Sequence, residues 1–249
     1  MTGAGIWYGF HGLFYSHIAS QVRTRYGPAA GGKVIVAHLG SGASLCAMNA
    51  GISVGFSTLD GLVTSTRCGA LNPGVILHLL NDRKLQMDEL VTLLYEQSGL
   101  LGVSGISGDM RTLIDSDDPL AAEAVDLFVY RIAREIGSLA AAIGGLDTLV
   151  FKAGIRQNAP YIRERAGAVA GWLAVNIDHK LNGRGDEVIS LAGSDVDALV
   201  IPTDEERAVG IQHLCASSFV ARTLSAEPDA TRAAGVSTCQ EFGGSSMVR

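Results

Sequence analysis

Val34-Ile35-Val36-Ala37-His38-Leu39-Gly40-Ser41-Gly42-Ala43-Ser44 is the stretch on which the reading of this chain turns. Its first six residues are a β-branched, apolar run that reads as a buried strand. Gly40-Ser41-Gly42 interrupts that run, and a second strand, Ala43 to Met48, leaves the turn. Asn49-Ala50-Gly51 has reverse-turn chemistry, and Ile52-Ser53-Val54 begins a third strand, so this part of the chain reads as antiparallel. The glycine turn has two readings. It is a plain hairpin, or a loop whose backbone N–H groups approach a phosphate closely, with Ser41 and Ser44 adding hydroxyl donors. His38 beside it favours the second, because an imidazole there can donate to a phosphate oxygen.

Toward the carboxyl end the pattern becomes helical. Residues 73–81 and 87–98 carry apolar side chains three and four apart. The run from Gly102 to Gly108 is too rich in glycine for a helix and reads as a loop. Asp118 is an N-cap with Pro119 at the first helical position, and Gly144-Gly145 stops the helix. Leu120, Ala124, Leu127, Ile132, Ile136, Leu139 and Ile143 form its apolar face. Two strand-turn-helix units follow. Thr148 to Ala153 leads into Gly154-Ile155 and a helix near Asn158-Ala159-Pro160. Ala198 to Pro202 leads into Thr203-Asp204-Glu205-Glu206 and a helix to about Leu214. Strands followed directly by helices indicate parallel βα architecture. Residues 216–249 are rich in Ser, Ala, Gly and Thr without periodicity and read as a disordered tail. On the amino-terminal side, residues 1–33 hold Trp7-Tyr8-Gly9-Phe10-His11-Gly12 and a helix to about Arg25. The chain divides on this reading into segment 1–33, a domain over 34–215 and the tail.

Composition excludes several functions. Hydrophobic residues make up 47% of the 249 residues and charged ones 18%, as in α/β enzymes. A formal net charge of −6 with scattered Lys and Arg speaks against a nucleic-acid partner. No apolar run approaches the roughly 20 residues that span a bilayer, and no secretory signal is visible. Cys46, Cys68, Cys215 and Cys239 lie far apart, without zinc spacing, and read as reduced thiols in a cytoplasm.

Five further places could carry chemistry. Gly154-Ile155-Arg156-Gln157-Asn158 lies where a strand meets a helix, which suits an anion or a nucleotide, or is a short connection capped by Asn158. In Thr203-Asp204-Glu205-Glu206 the capping box uses Glu206, leaving Glu205 to hold magnesium or to be solvated. Asp109-Met110-Arg111 could grip a ribose or base edge, or its two charges could pair across a turn. Arg67 offers a planar fork for a phosphate, or is a solvated cation. His11 is by itself an ordinary hydrogen-bonded histidine. His17, His78, His179 and His213 read as helix or loop residues without partners, and no Ser/His/Asp order is recognisable.

The order of these motifs is more specific than any one of them. Tyr8-Gly9-Phe10-His11-Gly12, Ala37 to Ser44, Asp60-Gly61-Leu62 with Thr66-Arg67-Cys68-Gly69, Ser98 to Ser107 before Asp109-Met110-Arg111, Phe151 to Ile155, Asn158-Ala159-Pro160 with Ile162 to Arg165, and Ile201 to Glu206 together resemble acetate kinases from Tyr8 to Leu214. That resemblance implies an α/β, ribonuclease-H-like domain of the actin, sugar kinase and chaperone ATPase type, with a mixed sheet flanked by helices. It implies reversible transfer of the γ-phosphoryl group of ATP to acetate, a magnesium ion, and a homodimer. Phosphoryl transfer is chiefly positioning and charge neutralisation. By resemblance His11 and Arg67 flank the moving group. His38, Leu39, Gly40, Ser41 and Gly42 cradle ATP or ADP phosphates. Asp109, Met110 and Arg111, with Gly154, Ile155, Arg156, Gln157 and Asn158, bind the nucleoside end, and Glu205 helps hold Mg2+.

Departures from the family pattern qualify this picture. The family usually reads Gly-Ile-Gly-Glu-Asn where this chain has Gly154-Ile155-Arg156-Gln157-Asn158, so Arg156 adds bulk and charge where a nucleotide approaches. Leu13-Phe14-Tyr15 replaces the usual Thr-Ser-His after the Phe-His-Gly motif, and Ser41 replaces a common Asn. The motifs expected from an amino-terminal domain of about 150 residues, including a catalytic Asp and a carboxylate-binding Arg, have no counterpart. Rival expectations are therefore a kinase completed by a separate amino-terminal half, a nucleotide-binding or dimerisation module without catalysis, a truncated gene product, and a propionate or butyrate kinase half.

Overall fold

The computed structural model describes residues 15, 18, 21, 22, 24, 32–40, 42–49, 52–53, 61–153 and 159–202. His11, Ser41, Gly154 to Asn158, Glu205 and the expected tail lie outside these.

A five-stranded mixed sheet organises the chain, in the order β3-β2-β1-β4-β5. Its strands are β1 (Lys33–Leu39), β2 (Ala43–Asn49), β3 (Ile52–Ser53), β4 (Thr148–Ala153) and β5 (Asp197–Pro202). β1 pairs antiparallel with β2 from Lys33↔Asn49 to Leu39↔Ala43, and β2 pairs antiparallel with β3. β4 runs parallel to β1, with Ala37 opposite Phe151, and β5 runs parallel to β4, with Ala153 opposite Pro202. The antiparallel opening and parallel continuation are those that the turn chemistry dictates.

The helices are α1 (Pro73–Asn81), α2 (Met87–Glu96), α3 (Gly99–Ser104), α4 (Met110–Ile114), α5 (Pro119–Ile143), α6 (Ala159–Val169) and α7 (His179–Arg184), with a 3₁₀ turn over Gly171–Leu173. Period-two alternation gives the central strands two apolar faces. Ile35, Ala37, Leu45, Ala47, Leu149, Phe151, Ala198 and Val200 join the main core with residues of α5 and α6. Val34, Val36, Cys46, Met48, Val150, Leu199 and Ile201 face the other way, onto Tyr15, Ile18 and Val22 of the amino-terminal helical segment. Apolar residues at 15, 18 and 22 form one face of a helix, which is why that segment covers the sheet.

α5 begins as its sequence requires. The Asp118 carboxylate accepts from the Leu120 N–H at 2.8 Å, and Gly144 closes the helix at φ 74°. Leu120 is a correction to the expected apolar face: it is 48% exposed. The buried stripe runs through Ala121, Ala124, Val125, Phe128, Val129, Ile132, Ile136, Leu139 and Ala140. A side chain at position 120 is rotated about 100° from that at 121 and leaves the stripe. A second correction concerns Gly102 to Gly108, whose first residues belong to α3 rather than to a loop. Burial of Gly99, Leu100 and Ser104 outweighs the low helix propensity of glycine there.

Candidate functional site

Three strands that lead in sequence into predicted segments end at one edge of the sheet. β1 ends at Leu39, β4 at Ala153 and β5 at Pro202. These strands are adjacent and parallel, so β1, β4 and β5 all end at one edge of the sheet. That edge is where open α/β sheets bind ligands.

At the end of β1 the Gly40 N–H donates to the Gly42 carbonyl at 2.9 Å, closing a tight hairpin. The hairpin reading of the glycine turn is thus realised in its backbone. His38 is 8% exposed and sits opposite Ser44 in the ladder. Leu39 and Gly40 are half-buried, as is Gly42. The hydroxyls of Ser44 and Tyr15 lie 2.6 Å apart and share a hydrogen bond. Burial pushes the Tyr15 phenol well above its ordinary range, with the Ser44 bond opposing and the nearby Cys46 adding to the rise. Ser44 is therefore buried against Tyr15 and is not a free donor at the turn. Sequence reasoning missed Tyr15, although its spacing to Ile18 and Val22 was the available signal.

Arg67 occupies the tip of a second tight loop. The Thr64 N–H donates to the Arg67 carbonyl at 3.1 Å, and the Ala70 N–H to the Gly61 carbonyl at 3.0 Å. The Arg67 N–H reaches the Thr64 hydroxyl at 3.3 Å. From outside, the amides of Ser98, Leu100 and Leu101 donate to the carbonyls of Thr66, Thr64 and Ser65. The Thr66 hydroxyl donates to the Tyr95 carbonyl at 2.8 Å. Gly99, at φ 67°, is obligatory here, since a Cβ would lie 2.3 Å from the Thr64 oxygen. The Arg67 guanidinium makes no ion pair among the described residues. It is a half-buried cation on a fixed backbone.

Asp109 and Arg111 do not pair through their side chains. The Asp109 carboxylate caps α4 by accepting from the Arg111 N–H at 2.7 Å. Both side chains are exposed, and Met110 between them packs partly against the core. The histidines read as partnerless need correction. His78 Nδ1 lies 2.7 Å from the Asp82 carboxylate, and His179 Nδ1 3.0 Å from Glu164. Among the described residues no three His, Cys, Asp or Glu side chains gather as a metal site. Among them, too, no helix is long and apolar enough to cross a membrane.

Residues 4–211 match the family model described as the acetokinase family. The chain is 55% identical over 206 residues to the acetate kinase of Rhodopseudomonas palustris strain TIE-1, covering 80% of this chain and 52% of that protein. It is 49% identical over 203 residues to the acetate kinase of Rickettsia prowazekii, covering 80% and 53%. The structure resembles that of Porphyromonas gingivalis acetate kinase with a TM-score of 0.77 at 34% identity, over 84% of this chain and 55% of the other. A propionate kinase from Francisella tularensis gives a TM-score of 0.73 at 33% identity, over 81% and 54%. The chain spans about half the length of the curated relatives it matches.

Proposed function

Since the chain belongs to the acetokinase family, we propose that it is the carboxyl-terminal, nucleotide-binding half of an acetate kinase, which transfers the γ-phosphoryl group of ATP to acetate and runs in reverse from acetyl phosphate and ADP. The observation that carries this reading is that the parallel strands β1, β4 and β5, which in sequence lead into the motifs at 38–44, 154–158 and 203–206, end at one sheet edge.

His38 through Gly42 then lie against the ATP phosphates, and Gly154 to Asn158 and Asp109 to Arg111 take the nucleoside end. By the family resemblance His11 would flank the moving phosphoryl group. Arg67 would neutralise charge on the moving phosphoryl group, and its fixed backbone costs no reorganisation as that charge develops. Glu205, three residues beyond β5, is a hard oxygen donor of the kind that holds Mg2+, which would screen the phosphate oxygens. The working division is a leading segment 1–33, the nucleotide-binding domain 34–215 and a tail, acting in the cytoplasm as a homodimer. The apolar residues of α1, none of them buried, and the exposed Met87, Val91 and Tyr95 of α2 support self-association.

The test is acetyl phosphate formation, trapped as hydroxamate, by the chain alone and mixed with the amino-terminal half of a relative, alongside calorimetric ATP binding. Hydroxamate in either sample supports the reading. ATP binding without turnover in both leaves a nucleotide-binding module, and absence of ATP binding removes the assignment. Substituting propionate and butyrate in the same assay decides the acyl chain.

A further inference from the structure

Arg131 lies on α5, far in sequence from the Arg67 loop, yet touches its base. Its Nη2 donates to the Ala70 carbonyl at 3.2 Å. Its Nε is buried and has no hydrogen-bond partner among the described residues. Ala70 forms the basal rung of the loop through its N–H to the Gly61 carbonyl, and Arg67 forms the apical rung with Thr64. Gly69, between them, is at φ 67°, and a Cβ there would lie 2.6 Å from the Gly61 oxygen, so the base has no slack.

As a purely stabilising device this arrangement is poor. A desolvated, unpaired guanidinium N–H works against folding, whereas an apolar side chain of similar length would fill the space without that penalty. What the guanidinium supplies instead is a directional bond to one carbonyl, three residues beyond Arg67. The amides of Ser98, Leu100 and Leu101 hold the opposite flank. Both sides of Arg67 are thereby tied to helices.

We propose that Arg131 is a positioning residue for Arg67, anchoring the Ala70 carbonyl so that the loop tip presents its guanidinium in one orientation. The catalytic half of this inference rests on the reading of Arg67 as the group that meets the moving phosphoryl.

The experiment uses the full chain with Arg131→Met and Arg131→Lys, read by amide hydrogen exchange of the peptide spanning 61–70 and by kcat and KM for ATP in the hydroxamate assay, alone and mixed with the amino-terminal half of a relative. Arg131→Met is expected to speed exchange in that peptide about tenfold and to lower kcat about tenfold, with KM within about a factor of two. Arg131→Lys still reaches the Ala70 oxygen and should recover most of both losses. Unchanged exchange in 61–70 overturns the anchoring, whatever the activity. Faster exchange with unchanged kcat overturns the link to Arg67. If no sample turns over, the functional reading fails while exchange still decides the anchoring. Should Arg131→Met not fold, Arg131→Gln, too short for the contact, takes its place on the same readouts.

Discussion

Tyr15 shows how a side chain outside any expected motif governs its surroundings. Its phenol is buried and hydrogen-bonded to Ser44. Because burial raises its pKa in the folded state, the unfolded chain loses that proton first. The contribution is intact below the ordinary tyrosine value of about 10 and declines as pH rises above it. Tyr15→Phe should cost about 1–2 kcal/mol at neutral pH and flatten the alkaline loss of stability, measured as urea midpoints from pH 7 to 11. Arg67→Ala in a catalytically complete sample should lower turnover about 100-fold or more while ATP affinity by calorimetry stays within a factor of a few. Unchanged turnover would remove Arg67 from the mechanism. Ala174 sits at φ 65°, in the left-handed region. Ala174→Gly relieves that strain at some entropic cost, for a net gain of roughly 0.5–1 kcal/mol, visible as a higher thermal midpoint.

Two elements are locked by contacts that spacing alone does not reveal. α6 and α7 are joined by Arg163, only 5% exposed, whose Nε and Nη2 donate to the Asn182 side-chain oxygen and carbonyl at 2.8 and 3.0 Å. The Asn182 amide in turn donates to the Pro160 carbonyl at 2.8 Å. Burial pulls the Arg163 pKa down, yet the guanidinium has no carboxylate partner among the described residues. Arg163→Met would strand the Asn182 side-chain oxygen and leave its carbonyl only the Gly185 N–H, and a loss of about 2–4 kcal/mol in denaturant unfolding is expected. Gly99→Ala, by driving a Cβ into the Thr64 carbonyl, should both destabilise the chain and raise hydrogen exchange in 61–70. The caps of α5 were legible because Asp118, Pro119 and Gly144 act on their immediate neighbours. α3 was not, because its helicity comes from packing of Leu100 and Ser104 against the rest of the fold. The His78–Asp82 pair is an i, i+4 contact that spacing could have found. The His179–Glu164 pair joins two helices and could not have been found that way.

For the molecule as a whole, strand direction was readable from turns, whereas the placement of β4 beside β1 was not. Hairpin chemistry after Leu39 and Asn49 requires antiparallel neighbours, and a helix after Ala153 requires a parallel one. The shared edge at which β1, β4 and β5 end follows from that placement. Which side chains face one another does not, since it depends on register, as the hydrogen bond between Ser44 and Tyr15 shows. The exposed apolar surface of α1 and α2 also belongs to this scale. On the proposed homodimer, Leu77→Asp, at a position 58% exposed in this chain, should shift the sedimentation coefficient to that of a monomer without lowering stability by more than about 1 kcal/mol; a wild-type chain that already sediments as a monomer overturns the proposed self-association.

Among the described residues, the cores on the two faces of the sheet draw little on the proposed site, from which Leu39 and Met110 pack against them. A lineage could therefore forfeit its reaction long before it forfeits its shape, and what such a chain would keep is a competent scaffold.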